Sequence, residues 1–110
     1  MSELINVEEL KSLYGDDSVK ELLEMALKEG RSLIDSLKVA VPNRNASVVA
    51  ADAHQLKGMS ATMTMNPVSE LAYKLEMAGK SESWEGTDEV LQKVEAMFKE
   101  LEDYLQKVLA

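Results

Sequence analysis

The chain has 110 residues, of which 45 % are hydrophobic and 29 % are charged, so we expect one globular domain spanning residues 1–110. The net charge of −8 argues against binding to nucleic acid or to an anionic membrane, and the lack of cysteine excludes disulfides and thiolate metal sites. The acidic start and the absence of a long apolar run predict a soluble, cytoplasmic protein without a signal peptide, whose partners are other proteins.

Apolar residues recur every three or four positions, which predicts an all-α fold with five helices. The N-V-E-E segment from Asn6 is a capping box that opens a short first helix ending at Gly15. The second helix is predicted to start at Asp17 or Ser18, where S-V-K-E forms another capping box, and to end before Pro42.

The second helix carries a continuous apolar face. Its members are Val19, Leu22, Leu23, Ala26, Leu27, Leu33, Ile34 and Leu37. Gly30 lies on or near this face, where a missing side chain permits close packing against a neighbouring helix.

The third and fourth helices are marked by their ends. Asn45 is a suitable N-cap for the third helix, which should run to about Thr64. The fourth begins at Asn66 and Pro67, because proline is tolerated in the first turn, and Gly79 is its predicted C-terminal stop. Its inward residues are predicted to be Val68, Leu71, Ala72 and Leu75.

The polar segment from Lys80 to Gly86 interrupts the helical pattern, and Trp84 within it is expected to fold back onto the core. The last helix starts at Thr87 or Asp88, and its apolar face comprises Leu91, Val94, Phe98, Leu101, Leu105 and Val108. Short loops between long amphipathic helices predict an up-down-up-down four-helix bundle with a short additional N-terminal helix.

The third helix is the informative one. At about 100° per residue, one stripe faces the core and His54 points away from it into solvent. The stripe comprises Val49, Ala53, Leu56, Ser60 and Met63. The residues that share the face of His54 are all small, namely Ser47, Ala50, Ala51, Gly58 and Ala61. A solvated helix face is normally filled with long polar side chains, so this platform suggests a docking surface that lets a partner protein reach the imidazole.

Lys57 follows His54 by three positions and is therefore within side-chain reach of a phosphoryl group on the ring. A neutral imidazole is nucleophilic near neutral pH. The sequence assigns no role to Asp52. The methionines are interpreted as core filler rather than metal ligands, namely Met59, Met63, Met65 and Met77. One histidine and no cysteine cannot supply a zinc site, so no metal is expected.

The segment H-Q-L-K-G, from His54 to Gly58, resembles the signature of histidine-phosphotransfer (HPt) domains, and H-Q-L-K-G-M-S-A-T-M is similar to the phosphotransfer domain of chemotaxis histidine kinases. The upstream segment E-E-L-K-S-L-Y-G-D-D-S-V-K-E-L-L and the downstream segment S-E-L-A-Y-K-L-E extend the resemblance over most of the chain.

The resemblance implies that His54 is phosphorylated, that Lys57 and Gly58 support it, and that Glu76 hydrogen-bonds the imidazole and fixes its tautomer. It also implies receiver domains of response regulators and hybrid sensor histidine kinases as partners, with Mg²⁺ on the receiver and no cofactor on this chain. The chain departs from the family at Thr64, where a glycine is usual, so the turn into the fourth helix and the placement of Glu76 are expected to differ.

The expected function is phosphoryl relay: a monomeric carrier accepts a phosphoryl group on His54 from a receiver aspartate or a kinase and passes it to a response regulator. No phosphate-cradling glycine loop is present, so the chain is not expected to be an enzyme that binds ATP. The alternatives are the substrate domain of a chemotaxis-type kinase and a scaffold that binds receivers without transfer. A hydrolase with His54 as general base is disfavoured because no nucleophile or cleft accompanies it. The opening methionine and the lack of a trailing linker favour a free-standing protein.

Overall fold

A computed structural model describes residues 4–109, with side chains from 4 to 107. The described part of the chain is entirely helical, as predicted. Its helices are α1 (Val7–Tyr14), α2 (Asp16–Ala40), α3 (Ala46–Thr62), α4 (Asn66–Ser81) and α5 (Thr87–Leu109). The side chain of Val108, predicted to face the core, lies outside the described residues.

Helices α2 to α5 form the predicted four-helix bundle. Each packs against its neighbour in sequence, and α2 also contacts α5, which closes the ring, while α1 packs on α2. The molecule measures 41 × 21 × 20 Å. Its long dimension matches α2, whose 25 residues span about 37 Å at 1.5 Å per residue. None of the described helices is long and apolar enough to cross a membrane.

The core contains the predicted apolar faces of all four long helices. Phe98 is its largest fully buried side chain, and a Cβ atom at Gly30 would clash with that ring, which explains the glycine in the middle of α2. Met63 and Met65 are buried and Met59 is partly buried. The prediction that Met77 fills the core is wrong: it is exposed, because the neighbouring Glu76 takes the inward position on α4.

Two asparagines cap helices as the sequence predicts. The Asn6 side chain accepts from the backbone N–H of Glu9, and the Asn45 side chain accepts from that of Val48. The predicted capping box at Ser18 is wrong, because α2 already begins at Asp16 and no side chain caps it. Acidic residues in the first turn, Asp16 among them, interact favourably with the positive end of the helix dipole and permit the earlier start.

The predicted stop at Gly79 is also wrong. Helix α4 continues to Ser81 and ends at Glu82, which adopts a left-handed conformation with φ 52°. Gly79 instead serves the packing of α4 on α3: a Cβ atom there would lie 2.8 Å from the backbone nitrogen of Ala50 and 2.9 Å from the backbone oxygen of Ala46. The backbones of α3 and α4 lie so close together here that no side chain fits between them, and position 79 therefore requires glycine.

After α4, Trp84 folds back onto the core as predicted and is half-buried. The Arg44 guanidinium lies over its ring, 5.4 Å from the centroid. The indole thus fastens the loop between α4 and α5 to the loop between α2 and α3.

Candidate functional site

Helix α3 has one face buried in the core and one exposed face that carries small side chains around His54. The whole predicted core stripe is buried, and the side chain of His54 on the opposite side is 67 % exposed. Of the small residues around it, Ser47, Ala51, Gly58 and Ala61 are exposed and Ala50 is half-buried. The structure therefore brings the predicted platform residues together around an accessible ring.

A shallow depression of about 460 Å³ lies beside the imidazole, between α3 and α4. Its lining consists of Ser47, Ala50, Ala51, His54, Gln55, Glu76 and Lys80. Its wall is mostly small side chains from α3, with charged groups from α4 on the far side. An incoming group can therefore approach the ring directly.

Gly58 borders a second, apolar groove between α2 and α3, on the other side of the platform. Met25, Met59 and Met63 line this groove together with Gly58. A Cβ atom at Gly58 would meet nothing within 4 Å, so packing inside the chain does not explain this glycine. Ala61 lines neither cavity and extends the exposed small surface toward the end of α3.

Glu76 of α4 meets the imidazole across the helix interface. Its Oε2 lies 2.9 Å from Nδ1 of His54, although its side chain is only 2 % exposed. The close packing of α4 on α3 at Gly79, one turn further along, makes this contact possible. A buried carboxylate beside an exposed ring can hold the ring in one orientation.

Three donors surround the Glu76 carboxylate. The Lys57 Nζ donates to Oε1 at 2.7 Å, and the Lys80 Nζ lies 3.1 Å from Oε2, which also contacts His54. The pKa of Glu76 is lowered to about 2, mainly by the hydrogen bond from Lys57, with further contributions from Lys80 and His54 that outweigh the opposing effect of burial. Glu76 is thus ionised at neutral pH.

The ionised carboxylate defines the tautomer of His54. A carboxylate can only accept hydrogen bonds, so Nδ1 carries a proton, and in the neutral ring Nε2 carries the lone pair. With the ring largely exposed, Nε2 is a nucleophile available to solvent or to a partner. The geometry suits nucleophilic attack by the ring on an electrophile brought from outside.

Lys57 is held in place beside this pair. Its side chain is 30 % exposed, and its ammonium lies between the Glu76 carboxylate and the Tyr73 ring, 5.2 Å from the ring centroid. Its backbone oxygen also accepts from the Ser69 hydroxyl of α4. In this arrangement Lys57 neutralises Glu76 rather than pointing into the depression.

Thr64 takes the position where the family that the sequence resembles usually has a glycine. Its φ is 60°, so the backbone adopts the left-handed conformation that glycine favours. The buried hydroxyl accepts from the backbone nitrogen of Asn6 at 2.9 Å and donates to the backbone oxygen of Asn6 at 3.1 Å. These bonds compensate for the strained backbone, and Glu76 still reaches His54.

Sequence reasoning missed three features of the site: Lys80, the aromatic support of Tyr73 under Lys57, and the contact of Gly79 with α3. Lys80 follows Glu76 by four positions, a spacing that places two side chains together on a helix and could have signalled the pair. Asp52, to which no role was assigned, accepts a hydrogen bond from Ser36 of α2 and so joins α2 to α3.

The described residues contain no group of three or more histidine, cysteine, aspartate or glutamate side chains arranged to hold a metal ion. That the chain carries no metal or cofactor of its own stays a prediction.

Comparisons with known proteins identify the family and the fold of the chain. The family model for the Hpt domain matches residues 21–109. The fold is similar to the crystal structure of histidine-containing phosphotransfer protein B (HptB) from Pseudomonas aeruginosa PAO1, with a TM-score of 0.88 and 16 % sequence identity over 97 % of this chain and 95 % of that one. No curated protein matches the sequence.

Proposed function

The chain belongs to the Hpt domain family, whose members are phosphocarriers in two-component signalling, and we propose that His54 is the residue that accepts and passes on the phosphoryl group. The observation that carries the proposal is the exposed imidazole whose Nδ1 lies 2.9 Å from the ionised, buried Glu76. This arrangement leaves the lone pair of Nε2 facing outward.

The transfer step needs only this nitrogen and an activated phosphoryl group. The Nε2 lone pair forms a bond to the phosphorus of an aspartyl phosphate, and the bond between phosphorus and the aspartate oxygen breaks, with its electron pair leaving on the carboxylate. The ring acquires positive charge while Nδ1 keeps its proton, and the Glu76 carboxylate stabilises that charge. The reverse step returns the phosphoryl group to an aspartate.

The partner supplies the remaining chemistry. In-line phosphoryl transfer depends mainly on positioning and on neutralising the charge of the transferred group. We propose that a receiver domain brings its own bound Mg²⁺ over the depression beside His54, so that this chain needs no cofactor of its own.

Docking is proposed to use the platform of Ser47, Ala50, Ala51 and Ala61 and to extend over Gly58 into the apolar groove between α2 and α3. The exposed Met25 borders this groove and gives a partner apolar surface to bury. Met25 also borders an adjoining groove that reaches Gln55, next to His54. The proposed footprint is therefore continuous from α2 to the imidazole.

Receivers of response regulators and of hybrid sensor histidine kinases both present an aspartate, so both are proposed donors and acceptors. The direction of net phosphoryl flow then depends on which receiver is phosphorylated first. We further propose that the chain acts as a monomer in the cytoplasm. Sedimentation analysis of the isolated chain and fractionation of cells expressing it test these two points.

The proposal is tested by incubating the full chain with phosphorylated receiver domains from the source organism in the presence of Mg²⁺. We expect acid-labile phosphate on the wild-type chain and none on the His54→Gln variant. Receiver binding without transfer would support a scaffold instead, and label acquired only from ATP and a kinase would support a kinase substrate domain.

A further inference from the structure

Lys80 is the one charged residue of the depression beside His54 that has no part in the relay described above. It lies near the end of α4, and its Nζ is 3.1 Å from Glu76 Oε2. That same oxygen is 2.9 Å from His54 Nδ1, so the ammonium and the imidazole share one carboxylate atom. Lys80 thus belongs to the same cluster of charges as the proposed nucleophile.

The two lysines that contact Glu76 differ in their freedom. Lys57 is 30 % exposed, donates to Oε1 and is covered by Tyr73, and it does not line the depression. Lys80 is 58 % exposed and lines the depression together with His54. In its i, i+4 ion pair with the buried Glu76, the Lys80 ammonium is the exposed partner, so it can turn from Glu76 to another anion in the depression.

Phosphorylation changes the charges that Lys80 faces. A phosphoryl group adds up to about two negative charges and three strong acceptor oxygens. Glu76 keeps Lys57 on its other oxygen and the protonated Nδ1 on Oε2, so it remains neutralised if Lys80 leaves. The lysine stem is flexible, and its ammonium has three donors.

From these contacts we infer that Lys80 is a phosphoryl-binding residue, whose ammonium leaves Glu76 Oε2 and donates to the oxygens of the phosphoryl group on Nε2 of His54. The inference rests on the proposed phosphorylation of His54. It assigns the two lysines separate tasks: Lys57 holds Glu76, and Lys80 stabilises the phosphorylated state.

The test compares Lys80→Gln with Lys74→Gln, a change of another exposed lysine on the same helix that does not line the depression. Each full chain is phosphorylated with phosphoramidate and mixed with a receiver that accepts the group, and the equilibrium ratio of the two phosphoproteins is measured. We expect Lys80→Gln to shift the ratio roughly three- to tenfold toward the receiver, as loss of a partly exposed, charge-assisted hydrogen bond predicts. Lys80→Arg should bring the ratio most of the way back to the wild-type value, and Lys74→Gln should leave the ratio unchanged.

A readout on the lysine itself separates binding from a structural effect. In wild-type chain, the ¹⁵N resonance of the Lys80 ammonium should move on phosphorylation, whereas that of Lys74 should not. An unchanged ratio in Lys80→Gln, or an unmoved Lys80 resonance, overturns the inference alone. Failure of the wild-type chain to form phosphohistidine with both phosphoramidate and receivers overturns the proposed function.

Discussion

A Cβ atom at Gly79 of α4 would lie 2.8 Å from the backbone nitrogen of Ala50 of α3. The two helices therefore approach to backbone distance one turn away from the imidazole of His54. Because of this approach, Glu76 of α4 contacts His54 of α3. It also brings Lys80 to the edge of the depression beside the imidazole.

We predict that Gly79→Ala destabilises the chain and weakens the site together. The added methyl group collides with backbone that cannot rotate away, so the free energy of unfolding should fall by about 1–3 kcal/mol. Separation of the helices should also lengthen the contact between Glu76 and His54 and slow phosphoryl transfer. Urea denaturation and the transfer assay measure the two effects.

Gly58→Ala is the matched control, because it changes the other glycine near the imidazole. Its Cβ atom meets nothing within 4 Å, and alanine is the better helix former, so stability should rise by up to about 1 kcal/mol. If the two variants changed stability in the same direction, the contrast between the packed and the open glycine would be wrong.

Stability at low pH should report the buried carboxylate. The pKa of Glu76 is about 2 in the folded chain against an ordinary value of 4.5. Its ionised form is therefore favoured by folding, which gives a stabilisation that is complete above pH 4.5 and is lost as the pH falls toward 2. Discounted for the solvent exposure of the lysines, this amounts to about 1–3 kcal/mol.

The Glu76→Gln variant should lose that part of the acid dependence. The free energy of unfolding is measured by denaturation from pH 6 to pH 2, a range set about the Glu76 pKa. In Glu76→Gln this free energy should fall less steeply with decreasing pH than in the wild type. Glu70→Gln, which changes an exposed carboxylate on the same helix, is the control and should follow the wild-type slope. If the unfolding free energy of Glu76→Gln fell with pH as steeply as that of the wild type, the Glu76 carboxylate would not have a lowered pKa in the folded chain.

Docking should be separable from the chemistry of the ring. Gly58→Glu and Met25→Glu each place a charge in the apolar groove between α2 and α3, and should slow transfer from a receiver by about tenfold or more through desolvation of the new carboxylate. Labelling by phosphoramidate, which needs no docking, should be unchanged. Val39→Glu, at a similarly exposed site on α2 outside the groove, is the control. Equal losses in both assays would place the defect in the ring and not in docking.

The turn between α3 and α4 should depend on the hydroxyl of Thr64. Thr64→Val keeps the branched side chain at a φ of 60° but removes both hydrogen bonds to Asn6, so we expect a loss of about 2 kcal/mol. Thr64→Gly also removes the bonds but relieves the backbone, and should therefore be the more stable of the two variants. The reverse order in thermal denaturation would contradict this account of the turn.

Most of the fold could be predicted because periodicity reports burial directly. The spacing of apolar residues identified the helices and the buried stripe of α3, and from these followed the exposure of His54. The errors arose where one residue type serves two purposes. Gly79 resembles a helix stop but is a packing residue, and the aspartates before Ser18 allow α2 to begin earlier than its predicted cap.

The site was less predictable because its contacts cross between helices. Glu76 was singled out by resemblance alone, since no local pattern says that a glutamate on α4 is buried against His54. Lys80 lies in a segment interpreted as a polar loop, and only the continuation of α4 to Ser81 puts it beside Glu76. Both Glu76 and Lys80 owe their positions to the close approach of the α3 and α4 backbones. The only trace of that approach in the sequence is a glycine, Gly79.

We propose that Glu76 holds the proton on Nδ1 of His54 and leaves Nε2 to receive the phosphoryl group. The most direct test is NMR of the uniformly ¹⁵N-labelled chain after transfer from a phosphorylated receiver, with resonances of the imidazole nitrogens and of phosphorus assigned. We expect phosphorus bonded to Nε2 of His54 and a proton on Nδ1. The His54→Gln variant should carry no label, and its far-UV helical signal should stay intact. Phosphorus on Nδ1, or label that persists in His54→Gln, would contradict it.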